Sequence, residues 1–431
     1  MKTAVNYLLG SWSRTSTYML RTWWDTHGSM LMRIAIALMV TVAIAWLGYQ
    51  FWRLLWQQDP IWPTSPSGAV DLNLRYKELH RWFAGEPVPP VYPPASYIIL
   101  WPLLGWLPFT PVKWFWAVTT VAALVWLVFL VVKESGANTA IERVFVALMP
   151  ISMYATGATI GNGQLIIHIL PAILAGLLIL QNRNCTFGKE LLAVALIIFS
   201  LVKPNVSIPF LWVAILAPGR LRPALLVALG YIALTLFALS LRETPEINLL
   251  SPENIQESPQ DIPNITIPES FADITKLYTW SSTWAERDRY SDLPVLLTTL
   301  GLKAWIIPVA LFIMVLQGVW TLRYRKGDIW LLVSIAAIIA RVWAYHRWFD
   351  DLLILLPMVA LFRIANRERS TNSRKVVAGV LLAITLLSTL APGGLYLFPP
   401  PWNSLYAVGQ SVIWVIVLIF LLDQARCEKR A

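Results

Sequence analysis

Apolar residues in this chain come in runs that cover every helical face. Twelve runs stand out: 34–56, 113–132, 143–160, 164–181, 190–203, 204–218, 222–241, 304–322, 328–342, 350–364, 375–393 and 404–423. Runs of about 14 to 24 residues suit helices that cross a bilayer. Barrel-type alternation is missing from the pattern. The expectation is an all-α polytopic membrane protein with about twelve transmembrane helices. Segment 95–109 is apolar but short, and Pro102 and Pro108 interrupt it, which predicts an interfacial or re-entrant piece. Lys203-Pro204 splits 190–218 into two legs, a broken hairpin, because proline disfavours helix at the residue before it.

Polar sequence divides the chain further. Residues 1–33 precede the first run, 34–241 form a membrane module with a loop at 57–94, and 242–303 is a second long loop. Residues 304–423 hold the last helices and 424–431 a tail. Within 57–94, Leu72, Tyr76, Leu79 and Phe83 recur at helical spacing, while Arg75, Lys77, Glu78 and Arg81 lie elsewhere on the wheel. This predicts a helix lying in the headgroup plane. The start of 242–303 is rich in Pro, Asn and Ser and reads as a solvated loop. Its end, FADITKLYTWSSTWAERDRYSDLP, has enough aromatic residues for short surface helices.

Composition sharpens this. The chain is 57% hydrophobic and only 13% charged, with mean hydropathy +0.60, against about 25% charge in a soluble domain. Many of its 23 tryptophans end apolar runs, among them Trp46, Trp52, Trp56, Trp101, Trp114, Trp116, Trp280, Trp284, Trp348 and Trp402. That is the interfacial belt position. Cys185 and Cys427 suggest neither a disulfide nor a metal framework. No cleavable signal peptide is visible, so the first helix is expected to drive insertion.

Charge sets the expected orientation. With twelve crossings, the N-terminal side collects 21 of the 34 basic residues but 8 of the 24 acids. The positive-inside rule then places both termini in the cytoplasm and the loops 57–94 and 242–303 outside. The net charge of +10 follows from these basic loops facing an anionic leaflet and needs no nucleic-acid partner. The expected location is a plasma membrane of bacterial inner-membrane type.

Several polar positions carry candidate chemistry. Asp71 reads either as a helix N-cap or as a general base at the membrane surface. Tyr92, in GEPVPPVYPP, reads as a sugar-stacking ring or an interface anchor. Gln164 ends GNGQ, where glycines permit close backbone approach. Lys203 stands alone in apolar sequence, so it is functional or it snorkels. Arg341, His346, Arg347, Asp350 and Asp351 form the densest cluster. There, Arg347 and Asp351 can pair at i,i+4, or the cations can bind a phosphate. No nucleotide-binding glycine loop and no metal-spaced His/Cys set is present in the sequence.

The order of these features resembles glycosyltransferase family 87. These are the polyprenyl-phosphate-mannose-dependent alpha-mannosyltransferase-like members of the C-type membrane glycosyltransferase superfamily. The resemblance spans about residues 34–365. It rests on Asp71 and Tyr76 after the first helix, Gly85 leading to Tyr92-Pro93-Pro94, Gly163-Gln164, Lys203-Pro204 and Tyr345-His346.

The resemblance implies a helical membrane fold and an outward-facing site that transfers a hexosyl or pentosyl group with inversion. The donor is a polyprenyl-phosphate sugar and the acceptor a lipid or glycan. Carried over, Asp71 is the catalytic base. Lys203, Arg341, His346 and Arg347 stabilise the departing phosphate. Tyr76, His80, Tyr92, Gln164, Asp350 and Asp351 hold sugar or acceptor. Membrane lipids are the other expected partners, no cofactor is expected, and a divalent metal is left open. The competing readings are a lipid-linked glycan ligase or polymerase, a lipid or glycan transporter, and an assembly partner in an envelope complex.

Overall fold

Prolines and glycines cut the apolar runs into helices of very unequal length. The computed structural model describes residues 2–57, 68–86, 88, 92–182, 184–242, 292–367, 372–399 and 401–430, with the backbone alone for 2–27, 372, 396 and 430. Among the described residues the chain is all-helical. The helices are α1 (Lys2–Trp56), α2 (Val70–Phe83), α3 (Pro94–Leu104), α4 (Phe109–Glu134), α5 (Ala140–Ser152), α6 (Tyr154–Asn162), α7 (Ile166–Gln181) and α8 (Phe187–Ser200). They continue as α9 (Pro204–Leu216), α10 (Arg222–Ser240), α11 (Leu293–Thr299), α12 (Ile306–Tyr324), α13 (Ile329–Val342), α14 (Leu355–Asn366), α15 (Asn372–Thr389) and α16 (Trp402–Arg430). Short 3-10 turns occupy Lys303–Trp305, Trp348–Ile354 and Gly394–Leu397.

Five of these stretches are long and apolar enough to cross a membrane: Gly28–Trp56, Phe109–Glu134, Arg222–Ser240, Lys303–Tyr324 and Trp402–Lys429. A sixth is reached only if α6 and α7, bent by 117° at their junction, count as one broken span. The protein is thus a multi-pass membrane protein, with fewer full-length spans among the described residues than the twelve expected. The reason is where apolar residues are hidden. The α7, α13 and α14 helices are buried on nearly all faces, whereas α4, α10, α12 and α16 expose Val125, Leu229, Val315 and Ile419. A helix apolar all round can be buried in protein as well as in lipid, and a short one is more often the former.

Two other expectations shift. The first helix runs unbroken from Lys2, and α16 continues to Arg430, so helix extends beyond the apolar runs 34–56 and 404–423. Of the belt tryptophans, Trp52, Trp56, Trp101, Trp114 and Trp402 are exposed, but Trp116 is fully buried against His168, with ring centroids 4.5 Å apart. Trp280, Trp284 and most of the loop 242–303 lie outside the described residues. Its last piece, α11, is capped by Asp292, whose Oδ1 accepts from the Val295 amide at 3.0 Å, and packs on the start of α12.

The break at Lys203-Pro204 is present. Lys203 leaves helical geometry (φ −125°, ψ 83°) and α9 restarts at Pro204. The two legs take different main neighbours, with α8 on α7 and α10 and α9 chiefly on α13 and α12. The α4 helix defines two ends of the bundle. Its start meets Tyr76 and the end of α1, where Lys113 Nζ donates to the Leu55 carbonyl at 2.9 Å. Its last residue, Glu134, accepts from Arg363 through its carbonyl. At 1.5 Å per residue these ends are about 39 Å apart.

Candidate functional site

The α2 helix begins on a strained residue. Ala69, its N-cap, sits at φ 56°, and among the described residues it is the one non-glycine with positive φ. Its amide donates to the Gly161 carbonyl at 2.8 Å, which ties α2 to the GNGQ turn. Gly163 ends α6 in the left-handed region (φ 71°), and a Cβ there would overlap the Cβ of Leu72. The glycines of GNGQ thus let the α6–α7 turn lie directly on the helix that carries Asp71. Arg53 reinforces the junction, donating to Gln50 Oε1 at 3.0 Å and Asn162 Oδ1 at 3.4 Å.

The capping reading of Asp71 fails here. Asp71 is the second residue of α2, and the cap position belongs to Ala69, with no side-chain cap bond. The Asp71 carboxylate is half-exposed and makes no hydrogen bond or ion pair among the described residues.

At helical spacing, Asp71, Arg75, Glu78 and Trp82 share one face of α2. Arg75 and Glu78, which lie off the Leu72–Tyr76–Leu79–Phe83 face, are nonetheless buried and form an ion pair with side chains 11% and 4% exposed. The Arg75 guanidinium lies 4.4 Å over the Tyr92 ring. Tyr92 is buried, which removes it as an interface anchor. Tyr97 is buried beside Trp82, its ring stacked at 4.7 Å and its hydroxyl without a hydrogen-bond partner. Tyr76 and His80 face elsewhere. Tyr76 donates to the Leu107 carbonyl at 3.2 Å and packs on Phe109, and His80 Nδ1 bonds the Tyr76 carbonyl at 2.8 Å. Tyr76 anchors α2 on the α3–α4 connection, and the His80 ring lies by Trp101 of α3, both apart from Arg75.

The second half of the site is built on the Lys203 break and the 3-10 turn 348–354. Lys203 Nζ pairs with Asp350 Oδ1 at 2.6 Å and sits 5.1 Å from the Phe349 ring. The other Asp350 oxygen accepts from His346 Nδ1 at 3.1 Å and from the Arg347 amide at 3.3 Å. Arg347 donates to the Tyr345 hydroxyl at 2.5 Å. The i,i+4 pair between Arg347 and Asp351 does not form. Asp351 bonds Arg341 through one oxygen and the Tyr154 hydroxyl through the other. Gln410 of α16 joins this network, donating to Tyr154 at 3.1 Å and to the Ser388 carbonyl at 2.6 Å.

Asp350 and Asp351, expected to hold sugar, therefore use all four carboxylate oxygens within the protein, where they compensate buried cations. Arg341, expected at the phosphate, is buried deep in this network. His346 is fully buried, with Nε2 unbonded. Asp292 reaches the cluster through Oδ2, which accepts the His346 amide at 3.1 Å.

The two halves are adjacent. Ser96 of α3 donates to the Val202 carbonyl, beside Lys203, at 2.9 Å. The Tyr92 phenol, pushed up chiefly by burial, is pulled down by Arg75 and pushed up by Glu78, Asp71 and Asp350. One ring thus feels the charges of both clusters. Gln164 is buried at the same end. Among the described residues no three His, Cys, Asp or Glu side chains converge as a metal set would.

Arg75 and Glu78 were readable, since 71, 75 and 78 share a helical face. Tyr97, Asp292, Tyr154 and Gln410 carry no local signal and enter only through long-range contacts.

Glu78 makes this half of the site pH-sensitive. Burial lifts its pKa from 4.5 to about 7, with Arg75 opposing. Asp292 moves the same way, from 3.8 to about 6, again mainly through burial. A carboxyl with a raised folded pKa binds more protons folded than unfolded, so its stabilisation is full below the unfolded pKa and is lost as pH rises through the folded one. Melting temperature in detergent is expected to fall as pH rises from 4.5 to about 7. Glu78→Gln should flatten most of that fall, leaving the part from Asp292. An unchanged pH profile would mean that Glu78 stays ionised against Arg75.

Fold and site together define an all-helical, multi-pass membrane protein with a buried ionic cluster beside a free carboxylate at one end of its bundle. Comparison with protein-family models, with curated proteins and with solved structures finds no match.

Proposed function

We propose that the protein is an inverting membrane glycosyltransferase of the C-type architecture. It moves a sugar from a polyprenyl-phosphate donor to a lipid or glycan acceptor on the outer face of the membrane. The observation that carries this reading is the unpaired Asp71 carboxylate, on the same α2 face as Arg75 and near Tyr92, whose ring also feels the charge of Asp350 in the Lys203–Asp350–His346 cluster. A base must be free to take a proton, and a departing phosphate needs fixed positive charge nearby.

In this reading Asp71 takes the acceptor hydroxyl proton. The hydroxyl oxygen bonds to the anomeric carbon, and the carbon–oxygen bond to phosphate breaks, its electron pair leaving with the polyprenyl phosphate. Lys203 and Arg347 face the leaving phosphate, and Arg75, over the Tyr92 ring, joins them as a third cation. Tyr92 and Gln164 position sugar or acceptor. Arg341 acts through Asp351 to hold the turn 348–354 in place.

The assay is direct: purified protein in proteoliposomes, a radiolabelled polyprenyl-phosphate hexose, and a membrane extract as acceptor. Transfer with release of polyprenyl phosphate is the expected result. Transfer only from a pyrophosphate-linked glycan would favour a ligase, and lipid movement without covalent product a transporter.

Orientation belongs to the same proposal. Both cysteines, Cys185 and Cys427, are half-buried thiols with no disulfide, and this reading puts both inside, because the bundle end remote from Asp71 carries Arg323, Arg325, Lys326, Arg363, Arg367 and Lys429. A membrane-impermeant thiol reagent should label them only after the cells are permeabilised. Labelling of intact cells would reverse the orientation.

A further inference from the structure

A second polar site lies at the end of the bundle remote from Asp71, where α4 ends against Arg363. A cavity of about 870 Å³ opens between the C-terminal ends of α12, α14 and α16 and the 325–328 loop. Six cations line it, Arg323, Arg325, Lys326, Arg363, Arg367 and Lys429, against two carboxylates, Asp328 and Glu428.

The cations divide into two groups. Arg363 and Arg367 converge on Asp328, the first at 3.2 Å, and Arg367 also binds Glu428. Lys429 Nζ donates to the Arg323 carbonyl at 3.1 Å. These contacts build a frame. The side chains of Arg323, Arg325 and Lys326 are exposed and have no hydrogen bond or ion pair among the described residues. Three cations therefore stand uncompensated at the rim of a cavity whose own ion pairs hold its shape.

We propose that this cavity binds the phosphate headgroup of an anionic phospholipid. The apolar surroundings favour a lipid over a soluble anion. Leu322, Leu331 and Leu332 form part of the lining. From there the outer face of α12 runs away from the cavity through exposed Leu322, Val319 and Val315, a path for an acyl chain. Trp320 and Tyr324, stacked at 5.0 Å, stand at the level where aromatic rings meet headgroups. Basic clusters beside membrane helices attract anionic lipid in this way. The site is separate from the proposed glycosyl-transfer site and does not depend on it.

The test uses the full chain in detergent, titrated with dioleoylphosphatidylglycerol and read by native mass spectrometry. Parallel titrations use dioleoylphosphatidylcholine and inorganic phosphate. Preferred retention of the anionic lipid is expected. Replacing Arg323, Arg325 and Lys326 together by Gln, which keeps most of each stem, should weaken it by roughly fivefold per residue and about a hundredfold in all. Melting of the lipid-free protein should not change, because these side chains hold nothing else. Replacing Lys133 and Lys189, basic residues elsewhere at this end, by Gln should leave retention unchanged. The proposal is overturned by equal retention of the zwitterionic lipid, by inorganic phosphate displacing the lipid, by an unaffected triple variant, or by an equal loss in the Lys133/Lys189 variant.

Discussion

Arg341→Ala is expected to destabilise the protein by about 3–5 kcal/mol, the cost of leaving one buried charge without its partner. Arg341 is 2% exposed and Asp351 2% exposed, and the two are bonded. The guanidinium also lies 5.0 Å over the Trp414 ring. Without it, Asp351 keeps only the Tyr154 hydroxyl, and α13, α6 and the 348–354 turn lose the charge that joins them. Arg341→Lys should lie between the two, because an ammonium lacks the planar fork and the flat stacking face. Thermal unfolding in detergent measures this. A near-native melting temperature for Arg341→Ala would mean that Asp351 is protonated and needs no cation.

Asp71→Asn is expected to lower sugar transfer by about 10²- to 10⁴-fold, the usual contribution of a positioned general base, with little change in melting. The asymmetry follows from the geometry. Asp71 caps nothing and pairs with nothing among the described residues, so the amide loses only a first-turn dipole contribution of about 0.3–1 kcal/mol. Full transfer activity in Asp71→Asn would remove the base assignment. A large loss of stability would show that the carboxylate holds structure. The pair of variants separates two kinds of charge, with Arg341 expected to matter to folding and Asp71 to chemistry.

The sequence showed where chain geometry must change. Pro204 forces Lys203 out of the helix, and the break appears at that residue. Gly163 supplies the left-handed turn and the close approach expected of GNGQ. The helix over Asp71–Phe83 is present with its apolar face inward, since Leu72 and Leu79 are buried. These features are local, set by φ limits and by the spacing of side chains on one helix. Pairing was not legible. Nothing near residue 350 in the chain announces that Asp350 takes Lys203 while Asp351 takes Arg341 and Tyr154. The i,i+4 alternative with Arg347 was equally consistent with spacing.

Hydropathy alone established an all-helical membrane protein, because a bilayer requires long apolar segments with satisfied backbones. It could not count the crossings, since an apolar helix is equally at home in lipid and in the middle of a protein. Only the packed structure separates the buried α7, α13 and α14 from the exposed α4, α10, α12 and α16. The same holds for charge. A buried ion needs a partner wherever the chain can bring one. That partner came from 147 residues away for Lys203 and 197 for the Tyr154–Asp351 bond. Folding thus decided which acids are spent on neutralising cations and left Asp71 free.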